Sequence, residues 1–392
     1  MLVKAHSSRG LGKATYLALI LSLSSIVSLN VVLPSFIVNL GGNLIILGTV
    51  YSLQSFVRPL ARIMSSIMSK AISRKYTIIL SIIARLIAFL LLYYANNVIM
   101  VAISMLLLAL AQGLENPTFL SSTADIITNS EIIAMAFGII LSIRMAPSII
   151  APILTGYIAE ILNTRYVFLS GLILSLISLL FSLRIKLDTS VELEHNVKSN
   201  YLKGVRNLIN REFHLLCTST ILLFMVVSAF QPLFSYWIVE ELNYGYIFLG
   251  YLLSLGGLVS FFSRIISGWL ADRLGEINVL IGVGLLRTSS MIILAFTHSP
   301  LWIGTSYILT RLLMAAPPRN ALIAKMMNKN LYDVAYSTIG VIMDIGRTLG
   351  PFLLSYITKT FNFQISYITM ALLLQAYIIS LYFLKREMKY SV

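Results

Sequence analysis

The stretch SRIISGWLADRLGEIN, residues 263–278, is the most informative part of this chain for its fold. It lies between two long apolar runs and combines two glycines with arginine, aspartate and glutamate side chains. Glycine permits close packing and tight reversal of the chain, while charged side chains keep a helix end out of lipid. The stretch therefore predicts a polar turn that joins two membrane-spanning helices.

An altered copy of this turn lies 202 residues upstream, where residues 62–75 read RIMSSIMSKAISRK. In this copy Ser66 corresponds to Gly268, and Lys70 stands in the place of the later aspartate. A register kept over many positions indicates duplication of a unit of several helices. The same spacing pairs Arg62 with Arg264, Gly48 with Gly250, Ser52 with Ser254 and Arg85 with Arg287.

The composition is typical of a membrane protein, since 58% of the residues are hydrophobic and only 11% are charged. A helix that crosses a bilayer core needs about 20 apolar residues. The apolar runs are too long and continuous for the roughly ten-residue alternating strands of a membrane barrel. We therefore expect an all-α integral membrane protein with twelve transmembrane helices. The predicted spans are 14–39, 44–69, 76–95, 98–123, 132–159, 165–185, 213–239, 245–271, 277–297, 301–326, 334–358 and 364–384.

The net charge of +14 is unevenly distributed along the chain. With both termini placed in the cytoplasm, lysine and arginine collect on cytoplasmic segments, and only Arg165 and Lys359 fall outside. This asymmetry is the positive-inside pattern of multi-pass membrane proteins, so the basic charge needs no nucleic acid as a partner. We predict a multi-pass protein of the cell membrane, in contact with the lipid bilayer, with both termini cytoplasmic.

The chain divides where apolar residues become sparse and charges of both signs appear, at residues 184–211. Six predicted spans precede this segment and six follow it. We expect an N-terminal six-helix bundle over residues 1–185, a cytoplasmic linker over 186–212 and a C-terminal six-helix bundle over 213–392.

Two sets of six spans, a polar central segment and the sequence GWLADRLGE after the eighth span resemble the major facilitator superfamily of secondary transporters. The nonapeptide is similar to a signature of that superfamily between helices 2 and 3, here in its second-half position. The resemblance covers essentially the whole chain and implies transport of a small-molecule substrate by alternating access. Smaller similarities are Gln112-Gly113 on helix 4, Ala151, Pro152 and Gly156 on helix 5, and Gly350-Pro351 on helix 11.

The signature turn is predicted to act as a conformational latch. A carboxylate at Asp272 can face the exposed amides at the start of another helix, which stabilises by about 0.3–1 kcal/mol. By resemblance, that helix begins near residues 129–132, and the contact favours the outward-facing state. In the alternative, the charges of the turn only anchor the helix end at the membrane surface. The predicted latch residues are Arg264, Gly268, Asp272, Arg273 and Gly275.

Ionisable side chains in the middle of predicted spans are the main candidates for function. Each costs on the order of 2.5–3.5 kcal/mol to insert, so it normally faces the bundle interior and finds a partner. Glu115 precedes Pro117 on helix 4, and Arg144 precedes Pro147 on helix 5, so we expect these two charges to pair beside helix irregularities. The matched arginines at 85 and 287 are predicted to be structural. The mid-span set comprises Arg58, Glu115, Arg144, Arg311, Asp344 and Arg347.

Three interpretations of these charges remain open. Permanent ion pairs can simply hold helices together. Alternatively, protonation of Glu115 or Asp344 releases an arginine and couples transport to protons, because an apolar site raises the pKa of a carboxyl group. In the third interpretation, Arg144 and Arg311 bind an anionic or polar substrate directly, since a guanidinium suits carboxylate or phosphate.

Helices 1 and 7 are expected to line the same cavity, because central sites in such transporters lie between the repeats near the midplane. On them we predict Asn30 and Gln231 as polar contacts to the substrate. A hydrogen bond between helices, near Pro232, is an alternative for the glutamine.

We expect no enzymatic activity, no cofactor and no metal site. The four histidines lack metal-ligand spacing, and the single cysteine, Cys217, offers no thiolate cluster. No GxxxxGK[ST] phosphate-binding sequence is present, so ATP hydrolysis is not the expected source of energy.

The sequence as a whole favours a proton-coupled secondary active transporter, working as a monomer, that exports a drug-like amphipathic compound. One alternative is a carrier for uptake of an organic anion. Another is a sensor or scaffold that no longer transports. The last rests on two departures from the drug exporters of the superfamily: Lys70 replaces an acid, and Ala109 stands where helix 4 usually has an arginine.

Overall fold

The computed structural model describes residues 2–24, 26–127, 140, 142–185, 210–327 and 332–390. Every regular element in these ranges is helical, which confirms the predicted all-α class. The first helices are α1 (Leu2–Leu23), α2 (Leu29–Asn39), α3 (Leu44–Ala71), α4 (Arg74–Tyr93), α5 (Val98–Ile127), α6 (Pro147–Ile161) and α7 (Thr164–Leu183). The later ones are α8 (Arg211–Tyr236), α9 (Gly245–Leu274), α10 (Glu276–Phe296), α11 (Pro300–Leu309), α12 (Ala316–Met326), α13 (Tyr332–Thr360) and α14 (Phe363–Tyr390).

Nine helices of the described chain are long and apolar enough to cross a membrane. The predicted spans that have no counterpart among these nine are 14–39, 301–326 and 334–358. The last of them is a continuous helix, α13, with Asp344 and Arg347 in its middle. The total of twelve therefore stays a prediction, as does the linker over 186–212, which lies almost wholly outside the described residues.

Two predicted spans are interrupted, which corrects the expectation of continuous helices. In the first, α1 ends at Leu23 and α2 begins at Leu29, and the backbone N–H of Ser28 bonds the Thr155 hydroxyl instead of a helical carbonyl. In the second, α11 ends at Leu309 and α12 begins only at Ala316.

The second interruption follows from the proline pair at 317 and 318. Proline lacks an N–H group, and the residue before a proline is disfavoured in the helical conformation, so a helix cannot run through this pair without a break. A new helix can nevertheless begin there. The Ser267 hydroxyl accepts the backbone N–H of Met314 at 2.8 Å, which satisfies one backbone group that the break releases.

The chain forms two compact units. The first unit comprises Met1–Gly42, Leu53–Glu192 and Tyr244–Ser254. The second unit comprises Asn43–Ser52, Leu193–Asn243 and Leu255–Val392. Each unit thus includes a short stretch whose neighbours in sequence belong to the other unit.

The same glycine-to-proline contact packs these short stretches in both units. A Cβ on Gly48 would lie 2.4 Å from the carbonyl oxygen of Pro351 in the second unit. A Cβ on Gly250 would lie 2.6 Å from the carbonyl oxygen of Pro152 in the first unit. Only glycine fits at such a distance, so the internal repeat has kept a close helix-to-helix approach twice.

Alanine at Gly48 or Gly250 tests this approach. Because the new methyl group forces the backbone apart, we expect each variant to lower the free energy of unfolding by about 1–3 kcal/mol. The melting temperature of the purified protein in detergent reports the change. Gly340→Ala is the control, because its Cβ would meet nothing within 4 Å and alanine favours a helix by about 0.5–1 kcal/mol. Equal melting temperatures for Gly48→Ala and Gly340→Ala would contradict the tight contact.

Candidate functional site

A buried cluster of three charges lies in the first unit. Glu115 on α5 is 2% exposed, and both of its carboxylate oxygens accept hydrogen bonds from arginines. Arg85 on α4 donates to one oxygen and also to the Ser24 hydroxyl. Arg144, in the helical turn before α6, donates to the other oxygen and to the side-chain carbonyl of Asn116 at 2.7 Å. The contact predicted between Glu115 and Arg144 is present.

Local sequence explains the position of this cluster. Pro117 within α5 leaves a backbone carbonyl one turn earlier without its helical partner, and Pro147 begins α6 just after Arg144. A Cβ on Gly113 would lie 2.3 Å from that of Ala61, so α3 and α5 approach closely beside the cluster. The charges therefore lie where helices are bent and tightly packed.

The two arginines of the cluster differ in accessibility. The side chain of Arg85 is 5% exposed, and that of Arg144 is 18% exposed. The Arg144 guanidinium also lies over the Phe119 ring, 4.3 Å from its centre, which is a cation–π contact. One carboxylate thus joins a deeply buried cation to a more accessible one, and its protonation would remove the negative charge that both arginines share.

A second polar network lies in the second unit around Arg311, in the break between α11 and α12. Its guanidinium donates to the side-chain oxygen of Gln231 and to the Tyr307 hydroxyl, both at 2.8 Å. The Gln231 amide donates to the Ser235 hydroxyl at 3.3 Å. The Tyr307 ring stacks on Phe234, with centres 5.0 Å apart. Gln231 therefore makes hydrogen bonds between α8 and the residues of α11 and the following break, which agrees with the alternative prediction of a hydrogen bond between helices.

Asp344 and Arg347 pair with each other on α13. Their charged atoms are 2.8 Å apart, one helical turn from each other. The Arg347 guanidinium also lies over the Phe224 ring, 4.7 Å from its centre. Asn30 is exposed in the first turn of α2, and no described contact joins it to either network.

The predicted latch residues lie at the end of α9 and the start of α10. The Arg273 guanidinium packs over Trp269, 4.1 Å from the ring centre, and Asp272 is exposed. Gly275 has a φ of +86°, a conformation that favours glycine and makes the tight turn. The helix start proposed as the partner of Asp272, residues 129–132, lies outside the described residues.

Sequence reasoning missed two arginines. Arg85 was expected to be structural, yet it shares the Glu115 carboxylate directly. Arg319 is not among the predicted site residues, yet it is only 8% exposed. The available signal was the proline pair before it, which begins a helix and so places Arg319 in a first turn.

Comparison with known proteins agrees with this architecture. The sequence profile of the Major Facilitator Superfamily matches residues 15–316 and, in a second alignment, residues 216–391. Two curated relatives, each called "Multidrug resistance protein MdtH", come from Blochmanniella floridana and Blochmanniella pennsylvanica (strain BPEN). Both are 30% identical over 159 residues, which is 38% of this chain and 39% and 38% of the relatives. The chain thus aligns with less than half of either relative.

Solved structures share the fold over nearly the whole chain. The nucleoside transporter NupG has a TM-score of 0.81 at 13% identity, over 95% of this chain and 98% of that one. A POT family transporter in complex with 5-aminolevulinic acid has a TM-score of 0.76 at 14% identity, over 96% and 95% of the two chains. The helices, their repeat and the matching sequence profile together show that this chain belongs to the Major Facilitator Superfamily.

Proposed function

We propose that this protein is a proton-coupled secondary active transporter that exports a small amphipathic solute by alternating access. The observation that carries the proposal is the position of Glu115, a buried carboxylate held by two guanidinium groups from different helices. Such a group can change its protonation state only together with its partners, so it is suited to link a proton to a helix movement.

The coupling step begins with a proton reaching Glu115. The neutral carboxyl group loses most of its attraction for both arginines, since the charge of the carboxylate is the main source of that attraction. Arg144 is the partner that leaves, because its side chain is 18% exposed whereas that of Arg85 is only 5% exposed. Arg85 stays, since it is more deeply buried and also bonds Ser24. The freed Arg144 then reorganises the helix turn before α6.

Export is supported by the name of the two curated relatives, which concerns those proteins and covers less than half of this chain. A second candidate, uptake of an organic anion, is favoured by the arginines of the second unit. The non-transporting sensor remains the alternative of a different class, and saturable, gradient-dependent flux would exclude it.

We further propose that the protein works as a monomer in the cell membrane, with both termini in the cytoplasm. The uneven distribution of lysine and arginine supports this orientation. The exposed charges of Asp272 and Arg273 then lie at the cytoplasmic end of α9 and form the proposed latch.

Glu115→Gln should abolish proton-linked flux, because glutamine keeps the size of the side chain but cannot be ionised and can accept a hydrogen bond from only one of the two arginines. Purified protein in liposomes, under an imposed pH gradient, reports flux through an internal pH-sensitive dye. Solute binding should remain measurable, because the substitution removes no positive charge. Glu276→Gln is the matched control, since it removes another buried carboxylate that is paired with a cation, Lys325.

Full pH-driven flux in Glu115→Gln would exclude Glu115 as the coupling group and make Asp344 the next candidate. Loss of stable, folded protein in this variant, with the control still folded, would favour a permanent structural ion pair.

Asp272→Asn should slow flux by about two- to five-fold, the range expected from losing a carboxylate contact at a helix start. The melting temperature and solute affinity should stay unchanged, because Asp272 is exposed. The measurement is the initial rate of gradient-driven flux, with Glu241→Gln as the control for loss of another exposed acid. An unchanged rate in Asp272→Asn would show that the turn only anchors the helix end.

A further inference from the structure

The second unit holds several buried or half-buried arginines, and the described ion pairs join one of them to a carboxylate. Among its described side chains, the buried carboxylates are Asp344 and Glu276. The first pairs with Arg347 on its own helix. The second binds Lys325, 2.5 Å away and largely exposed. Four arginines of this unit are buried or half-buried in the described chain, and we call them the arginine cluster: Arg287, Arg311, Arg319 and Arg347.

Mutual electrostatic effects connect the arginine cluster. Arg287 and Arg311 are near enough for their charges to repel each other, and so are Arg319 and Arg347. The Tyr377 hydroxyl lies within electrostatic reach of both Arg287 and Arg319, which joins the two pairs. Like charges gathered away from water are unfavourable unless a counter-charge is close. Asp344 is the one carboxylate that the described ion pairs bring to this cluster.

Several donors of the arginine cluster have no partner within the described protein. Arg319 is 8% exposed, and both its Nε and Nη1 atoms are buried without a hydrogen-bond partner. The Nε atoms of Arg287 and Arg311 are likewise buried and unpartnered. Buried donors that make no hydrogen bond are costly, and most native proteins avoid them. Arg144 in the first unit has one such atom as well, but Arg319 has two, and the oxygens of a bound solute would satisfy them.

The internal repeat relates Arg287 to an arginine of the first unit that is paired with an acid. Arg287 is the counterpart of Arg85, which binds the buried Glu115 in the first unit. The same spacing of 202 residues places Pro317 where Glu115 stands. The second unit has thus kept the arginine and lost its carboxylate. Arg319 lies in the first turn of α12, where the positive end of the helix dipole adds to the potential instead of opposing it.

We propose that the arginine cluster binds the anionic group of the transported solute, and that this solute is an organic dianion such as a phosphate monoester or a dicarboxylate. Guanidinium groups bind the oxygens of both in paired hydrogen bonds. The guanidinium carbons of Arg319 and Arg347 lie 5.3 and 4.7 Å from the centre of the Phe224 ring, so one aromatic side chain is adjacent to both arginines. This inference rests on the proposed transport function and is compatible with either direction of movement.

Four aromatic probes of graded charge test the site. Purified full-length protein in detergent is heated with phenyl phosphate, phthalate, benzenesulfonate or benzamide at neutral pH, and the melting temperature is followed against probe concentration. We expect a dianion to raise the melting temperature at lower concentration than the monoanion, and the neutral amide to have no effect. Stabilisation by phenyl phosphate alone would assign a phosphate monoester, and stabilisation by phthalate alone a dicarboxylate.

Substitutions then test whether the dianion binds at the arginine cluster. Arg319→Gln should weaken the apparent affinity for the effective dianion about tenfold or more, since a hydrogen bond between charged groups is lost. The apparent affinity of Arg319→Lys for the dianion should lie between that of Arg319→Gln and that of the natural protein, because lysine keeps the positive charge but lacks the paired donors of a guanidinium. Arg211→Gln is the control, since that side chain is 78% exposed and pairs at the surface with Glu387. If Arg319→Gln does not fold, Arg287→Gln takes its place.

Equal stabilisation by benzamide and the dianions, or no effect of either dianion, would overturn the inference. So would unchanged affinity in a folded Arg319→Gln or Arg287→Gln variant. These results are separate from the flux assay. Proton-linked flux that depends on Glu115, without dianion binding, would reject the arginine cluster and keep the proposed transport function. Dianion binding without any flux would reject the proposed transport function and keep the arginine cluster as a binding site.

Discussion

The need to pair a buried charge governs this structure. An ionised side chain within an apolar helical bundle is tolerated only when an opposite charge and hydrogen bonds replace its water. Glu115 meets this condition for two arginines at once, and it joins α4, α5 and the turn before α6. A change in its protonation state therefore disturbs three segments together, which is what a coupling group must do.

The two units solve the same problem differently, although their sequences derive from one repeat. The first unit keeps an acid between two arginines, and each of these three charges has a partner. The second unit has a proline at the corresponding position, and its break between α11 and α12 contains Arg311, with Arg319 in the first turn of α12. We interpret the first arrangement as the proton site and the second as the solute site, so that duplication was followed by a division of roles.

Much of the fold could be predicted from the sequence, because long apolar runs and the turn at 263–278 report directly on membrane helices. The contact of Glu115 with Arg144 was also predictable, since both residues lie beside prolines. The hydrogen bond from Arg85 to the same carboxylate could not be predicted, because hydropathy does not show which face of one helix meets another. The interruptions within 14–39 and 301–326 were also not predicted. Apolar composition does not show where a backbone N–H group bonds a side chain instead of a helical carbonyl, as the N–H of Ser28 does.

The most direct test of proton coupling is a flux measurement on the natural protein in liposomes that contain a pH-sensitive dye. A mixed panel of organic anions, sugars and lipophilic cations is added under an imposed pH gradient. We predict that at least one solute drives saturable proton movement, and that an organic dianion is among the active solutes. Solute movement that leaves the internal pH unchanged would contradict proton coupling, because Glu115 and its two arginines would then be a structural ion pair in a facilitator.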